Sequence, residues 1–205
     1  MKMNLTKAQK ESLKKIVKSG ITEGFYLAGG TAIYLKYSHR FSEDFDFFLL
    51  PQINKNLFSL LDNIKPNKII DLSESSLIFI LNNIKFSFFK YPYKLLNQPD
   101  YNEEFNILMA SDNDIISMKS IAIIQRGEKK DFFDLYFLMN KKNINIERVI
   151  ELNLKKYETS FNPSLFLKAI VFFKDAENQI IDTIEPHWNS VKTFFLKGAQ
   201  TYLKK

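Results

Sequence analysis

Apolar positions recur at two different spacings along this chain, and the spacing changes near residue 110. Before that point short runs alternate or cluster as strands do; beyond it apolar residues return every three to four positions, as on one face of a helix. The first segment, "TKAQKESLKKIVKS" (6–19), puts Leu13, Ile16 and Val17 on one helical face, with Thr6 placed to cap its start and Gly20 to end it. Phe25 to Ala28 predicts a short strand, Gly29-Gly30 a turn, and Thr31 to Tyr37 the opening of a helix. A second strand is expected from Asp44 to Leu50, closed by Pro51, and another helix over 54–63. In "SLIFILNNIKFSFFKYPY" two β-rich runs flank Asn82-Asn83, residues that tolerate the positive φ of a tight hairpin. Ile84, Phe86 and Phe88 then share one face, and Lys85, Ser87 and Phe89 the other, before "YPYKLLNQPD" runs on as a connecting loop.

The second part reads as helices throughout: "SDNDIISMKSIAIIQRG", with cap-like Asp and Asn at its start and Gly127 at its stop, then "EKKDFFDLYFLMNKK", "NIERVIELNLKKY", "NPSLFLKAIVFFKDAENQII" and "HWNSVKTFFLKGAQTYLKK". The expected organisation is α/β for residues 1–110 and all-helical for 111–205, without internal repeats or disordered tracts.

Composition narrows the classes. No cysteine is present, which excludes disulfides and thiolate metal sites and suits a reducing compartment. No apolar run reaches the ~18 residues of a membrane span, and the first twenty residues lack the apolar stretch of a secretory signal. A cytoplasmic protein is expected. The net charge of +6 comes almost wholly from lysine, since Arg40, Arg126 and Arg148 are the only arginines. Such a charge suits a polyanionic partner, but an AT-rich coding sequence accounts for it equally well. His39 and His187 lie too far apart to suggest a zinc site, and no Gly-x-Ser-x-Gly elbow suggests a hydrolase.

The chemistry concentrates in "FYLAGGTAIYLKYSHRFSEDFDFFLL" (25–50). A strand followed by Gly29, Gly30 and Thr31 and then a helix offers backbone N–H groups at a helix start, where phosphate binds; an ordinary turn would use the same residues. The spacing matches neither a Walker loop nor a dinucleotide fingerprint. Asp44 and Asp46 stand two apart, so in a strand both carboxylates project from one face while Phe45, Phe47 and Leu49 fix the register from the other. Unrelieved, that pair repels itself, and a positive charge is expected beside it. Hard oxygen ligands at this spacing suit Mg²⁺ carried in on nucleotide phosphates; a solvated acidic strand start including Glu43 is the plainer alternative. Further on, Lys119 and Arg126 lie seven apart on one helix face, and Asp131 and Asp134 three apart on one face of the next, so a lysine is placed to meet phosphates or the charges simply to tie two helices together.

On "LAGGTAIYL…HRFSEDFDFF", and again on "DIISMKSIAIIQRGEKKDFFDLYFL", the chain resembles the AbiEii/AbiGii-type nucleotidyltransferases, a bacterial toxin family within the DNA polymerase β superfamily. The resemblance implies an α+β nucleotidyltransferase fold, with a small mixed sheet in 1–110 and a helical 111–205 that completes the active-site cleft. It implies that Gly29, Gly30 and Thr31 take the nucleotide's phosphates and that Asp44 and Asp46 hold the catalytic Mg²⁺. Lys119 is implied to contact the nucleotide, and Asp134, then Asp131, to support catalysis; Arg40 and Arg126 are further nucleotide-side candidates. The implied reaction moves NMP from an NTP to a hydroxyl of RNA or tRNA, as the toxin of a toxin–antitoxin or phage-defence pair, with an antitoxin as a further partner. The lysine-rich helices at 7–18 and 192–205 are candidate contacts to an RNA backbone, or solvated helix faces.

One position departs from the superfamily pattern. Where a later strand often supplies a third carboxylate, the equivalent run "IKFSFF" presents Ser87, which cannot act as a carboxylate base. Asp134 would then fill that role, or the domain binds nucleotide without turnover. A non-catalytic nucleotide sensor, and transfer to a small molecule or a protein side chain, therefore stand beside the RNA reading.

Overall fold

Helix α1 (Lys7–Lys18) begins with a capping box, in which the Thr6 hydroxyl accepts from the Gln9 N–H at 3.2 Å and the Gln9 side chain accepts from the Thr6 N–H at 3.0 Å. It opens a computed structural model that describes residues 5–204; the first four residues of the expected amino-terminal stretch, and Lys205 of the expected 192–205 helix, lie outside it. The chain divides into two units, Met1–Ser111 and Asp112–Lys205.

The first unit is built on a seven-stranded mixed sheet. After β1 (Phe25–Ala28) and α2 (Gly29–Tyr37) come β2 (Phe45–Leu49), β3 (Lys68–Leu72), β4 (Ser76–Leu81), β5 (Ile84–Phe89), β6 (Asp100–Asn102) and β7 (Ile107–Met109), in the spatial order β3-β4-β5-β2-β1-β7-β6. β1 pairs antiparallel with β2 and parallel with β7, and β2 pairs parallel with β5. Alternation along β2 buries Phe45, Phe47 and Leu49 and leaves Asp46 and Phe48 half-buried on the opposite face. The buried face is an aromatic ladder: Phe45 stacks on Phe86 and Phe47 on Phe88, each at 5.0 Å, with Phe79 stacked on Phe86 and Phe25 edge-on to Phe88. Asn82 and Asn83 both have positive φ, at 52° and 62°, and close the β4–β5 hairpin as the sequence requires.

The helix expected over 54–63 is instead a short 3₁₀ helix, Phe58–Asn63. The Asn56 side chain accepts from the Phe58 N–H and its carbonyl accepts from the Ser59 hydroxyl, so local side-chain bonds claim the groups that an α-helical turn would use. Strand β2 starts at Phe45, which leaves Asp44 just ahead of it, and α2 starts at Gly29 itself rather than after a separate turn.

The second unit is all helical: α3 (Asp112–Gln125), α4 (Lys129–Lys142), α5 (Ile146–Tyr157), α6 (Pro163–Ala169), α7 (Lys174–Glu177) and α8 (Trp188–Leu203). The long helical segment expected from Asn162 onward is split into α6 and α7. Asn162 caps α6 ahead of Pro163, and α6 ends at Ala169. Helix α3 ends where Gly127 takes φ +56°, and α4 ends on Asn143 in the same left-handed region. Helix α3 packs against α4, α5 and α6, and Phe132 of α4 meets Phe173, Trp188 and Phe195 in the core.

Candidate active site

In the first unit the register sets the candidate residues around one carboxylate. Asp46 lies across from Ala28 on β1 and from Ser87 on β5. The glycine turn therefore stands on one flank of the carboxylate pair and β5 on the other. Gly29, at φ +70°, brings the start of α2 so near Asp46 that a Cβ there would sit 3.2 Å from Oδ2. At Gly30 a Cβ would meet the Arg40 guanidinium at 2.6 Å and the Ser42 hydroxyl at 3.0 Å. These two glycines are needed for close approach, by a carboxylate at the first and a buried arginine at the second. Arg40 is buried and donates to the Phe41 carbonyl at 2.9 Å.

Thr31 is also buried, and its hydroxyl is turned inward. It lies 2.9 Å from Ser42 Oγ and bonds the backbone carbonyl of Asp44, so it fixes the approach to the carboxylates. Gln9 of α1 does the same from the other side, donating to the carbonyls of Ser42 at 2.8 Å and Glu43 at 3.2 Å. The positive charge expected beside the pair is a side chain of the protein itself. Lys85 Nζ is 2.6 Å from Asp44 Oδ2. Lys85 and Gln9 are the residues of this region that sequence reasoning did not single out as functional.

The second unit gathers all four of its candidates. Lys119 Nζ sits 2.8 Å from Asp131 Oδ1 and 2.7 Å from Asp134 Oδ2, and both aspartates are wholly buried. Arg126 forks onto Asp131, with Nε 2.7 Å from Oδ2 and a terminal nitrogen 3.0 Å from Oδ1. Burial alone pushes the Asp131 carboxyl up, but the Lys119 charge and the Arg126 hydrogen bond and charge outweigh it and hold it below its ordinary 3.8. Arg126 and Asp131 thus tie α3 to α4, and Lys119 is held between two carboxylates.

Among the described residues no group of three or more His, Cys, Asp or Glu side chains is placed to hold a metal. Asp44 and Asp46 supply two hard carboxylates beside a glycine-lined helix start, and Ser87 adds no third. This donor set fits a magnesium ion that brings phosphate and water as its other ligands, and not one caged by protein alone.

The family model "Nucleotidyl transferase AbiEii toxin, Type IV TA system" matches residues 11–203. An uncharacterized protein of Aquifex aeolicus (strain VF5), aq_aa25, is 44% identical over 203 residues, covering 98% of each chain. JHP933 from Helicobacter pylori superposes with a TM-score of 0.53 at 20% identity, over 98% of this chain and 96% of its own. The antibiotic-resistance factor ANT(2'')-Ia does so with a TM-score of 0.54 at 12% identity, over 73% of this chain and 91% of its own. At such identities the two structures speak for the fold, which is nucleotidyltransferase-like.

Proposed function

Since the chain belongs to the AbiEii family of nucleotidyl transferase toxins of type IV toxin–antitoxin systems, and is by that membership a nucleotidyltransferase, we propose that it moves NMP from an NTP to a hydroxyl of RNA, tRNA included. The observation that carries this is the placing of Asp46 between a glycine-lined helix start and β5, with Asp44 beside it. Asp44 and Asp46 would hold Mg²⁺, which when bound neutralises phosphate charge and lowers the pKa of the attacking hydroxyl. The backbone at Gly29 and Gly30 receives the phosphates that leave, and Thr31 serves that site from behind by anchoring Asp44. The acceptor oxygen attacks the α-phosphorus and pyrophosphate departs in line. With Ser87 in place of a carboxylate and Asp134 bound to Lys119, the hydroxyl proton is assigned to water. In the helical unit Lys119 is held by Asp131 and Asp134. The proposed setting is a toxin–antitoxin or phage-defence pair in the cytoplasm.

The test is incubation with Mg²⁺, each α-labelled NTP in turn and total bacterial RNA, beside Asp46→Asn. Label on RNA that disappears in the variant, with its melting temperature unchanged, is the expected result. Label on a protein or small molecule would reassign the acceptor. No label, with an NTP still raising the melting temperature, would leave a nucleotide sensor.

A further inference from the structure

Asp44 carries its own counter-ion, Lys85, and the two partners are not equally free to move. Asp44 is fixed through its backbone: its carbonyl is bonded by Thr31, and the Ser42 and Glu43 carbonyls before it are held by Gln9. Lys85 stands one step before the Phe45–Phe86 pairing, on a flexible four-carbon stem whose side chain is 42% exposed. Its Nζ lies 2.6 Å from Asp44 Oδ2, on the flank of β2 away from the glycine turn. A divalent ion taking Asp44 Oδ2 would face the Lys85 ammonium across a single oxygen, and the two cations repel each other. We propose that metal entry is a cation exchange at Asp44: Lys85 pairs with this carboxylate in the metal-free protein and is displaced when the ion arrives.

The exchange rests on the reading of Asp44 and Asp46 as metal ligands, and it adds a residue that the reading does not contain. Its consequence is a cost on metal binding. A divalent ion must break an ion pair before it gains a ligand, so the lone ion binds weakly, and phosphates that arrive with it make up the difference. Lys85 approaches from the β5 flank, so its displacement does not disturb the glycine turn on the β1 side.

Binding of Mn²⁺ alone, followed by the spin-resonance signal of the free ion, tests this without any turnover. Lys85→Met should tighten Mn²⁺ about twofold to fivefold, the fold-change of one exposed ion pair. Lys85→Arg should restore the wild-type affinity, and Lys90→Met, which removes a charge from the end of the same hairpin without touching Asp44, should leave it unchanged. Unchanged or weaker binding in Lys85→Met, or equal tightening in Lys90→Met, would overturn the exchange while leaving the metal site standing. If Asp46→Asn binds Mn²⁺ as the wild type does, the carboxylates are not the ligands and both readings fall together.

Discussion

A side chain at Gly30 would have to occupy space held by the Arg40 guanidinium, 2.6 Å from where its Cβ would lie. Gly30→Ala should therefore move Arg40 and weaken NTP binding even though alanine favours a helix. A thermal-shift titration with NTP reads this directly. Lys119 presents the opposite problem, a charge that cannot be withdrawn. Lys119→Met leaves Asp131 and Asp134 buried with one cation fewer and should cost about 3–5 kcal/mol of stability in urea. The pH dependence follows from the sign of the Asp131 shift. Its folded pKa lies below the ordinary 3.8, so its stabilisation is complete above that pH and is lost as pH falls through the lower folded value. The gap in urea midpoint between wild type and Asp131→Asn should accordingly be constant near neutrality and close in acid.

At the scale of elements, α5 is pinned to α3 by Lys156 and Asp114, 2.7 Å apart and wholly buried. Burial pushes the Lys156 amine below its ordinary 10.5, against the opposing pull of Asp114. Lys156→Met should destabilise by about 3–5 kcal/mol because a buried carboxylate loses a cation that neutralises it, and adding Asp114→Leu should recover much of that loss. Urea midpoints of the single and double variants decide it. Nothing in the local pattern discloses this pair, whose members are 42 residues apart. Elements with strong alternation were readable: β1, β2 and the Asn82-Asn83 hairpin follow from the order of their own residues. Strand β3 was not, since four of its five residues are exposed and no face is patterned; β6 and β7 have three residues each and depend on pairing partners. The candidate site divides in the same way. Its glycines and aspartates are adjacent in sequence, whereas Lys85 shares a readable face with Ser87 but meets Asp44 only through the parallel pairing of β2 with β5.

For the molecule as a whole the net charge of +6 matters more to partners than to folding. If the acceptor is RNA, affinity measured by filter binding should fall steeply between low and physiological salt, as phosphate contacts release counterions. A flat response would point to a protein or small-molecule acceptor. No helix among the described residues is long and apolar enough to cross a membrane.

The place of β7 in the sheet has a consequence for how the protein is made. The strand that leads into Gly29 has a neighbour on one side from β2, but on the other it waits for Leu108 and Met109, and for the Ala110 N–H that bonds Leu27. Until the ribosome has released those residues, β1 has an open edge, with backbone groups offered to any passing strand. A nascent chain cut short before Ile107 therefore holds both aspartates and both glycines without the support that seats them. Translation that stops early should yield material for proteases rather than a partial toxin.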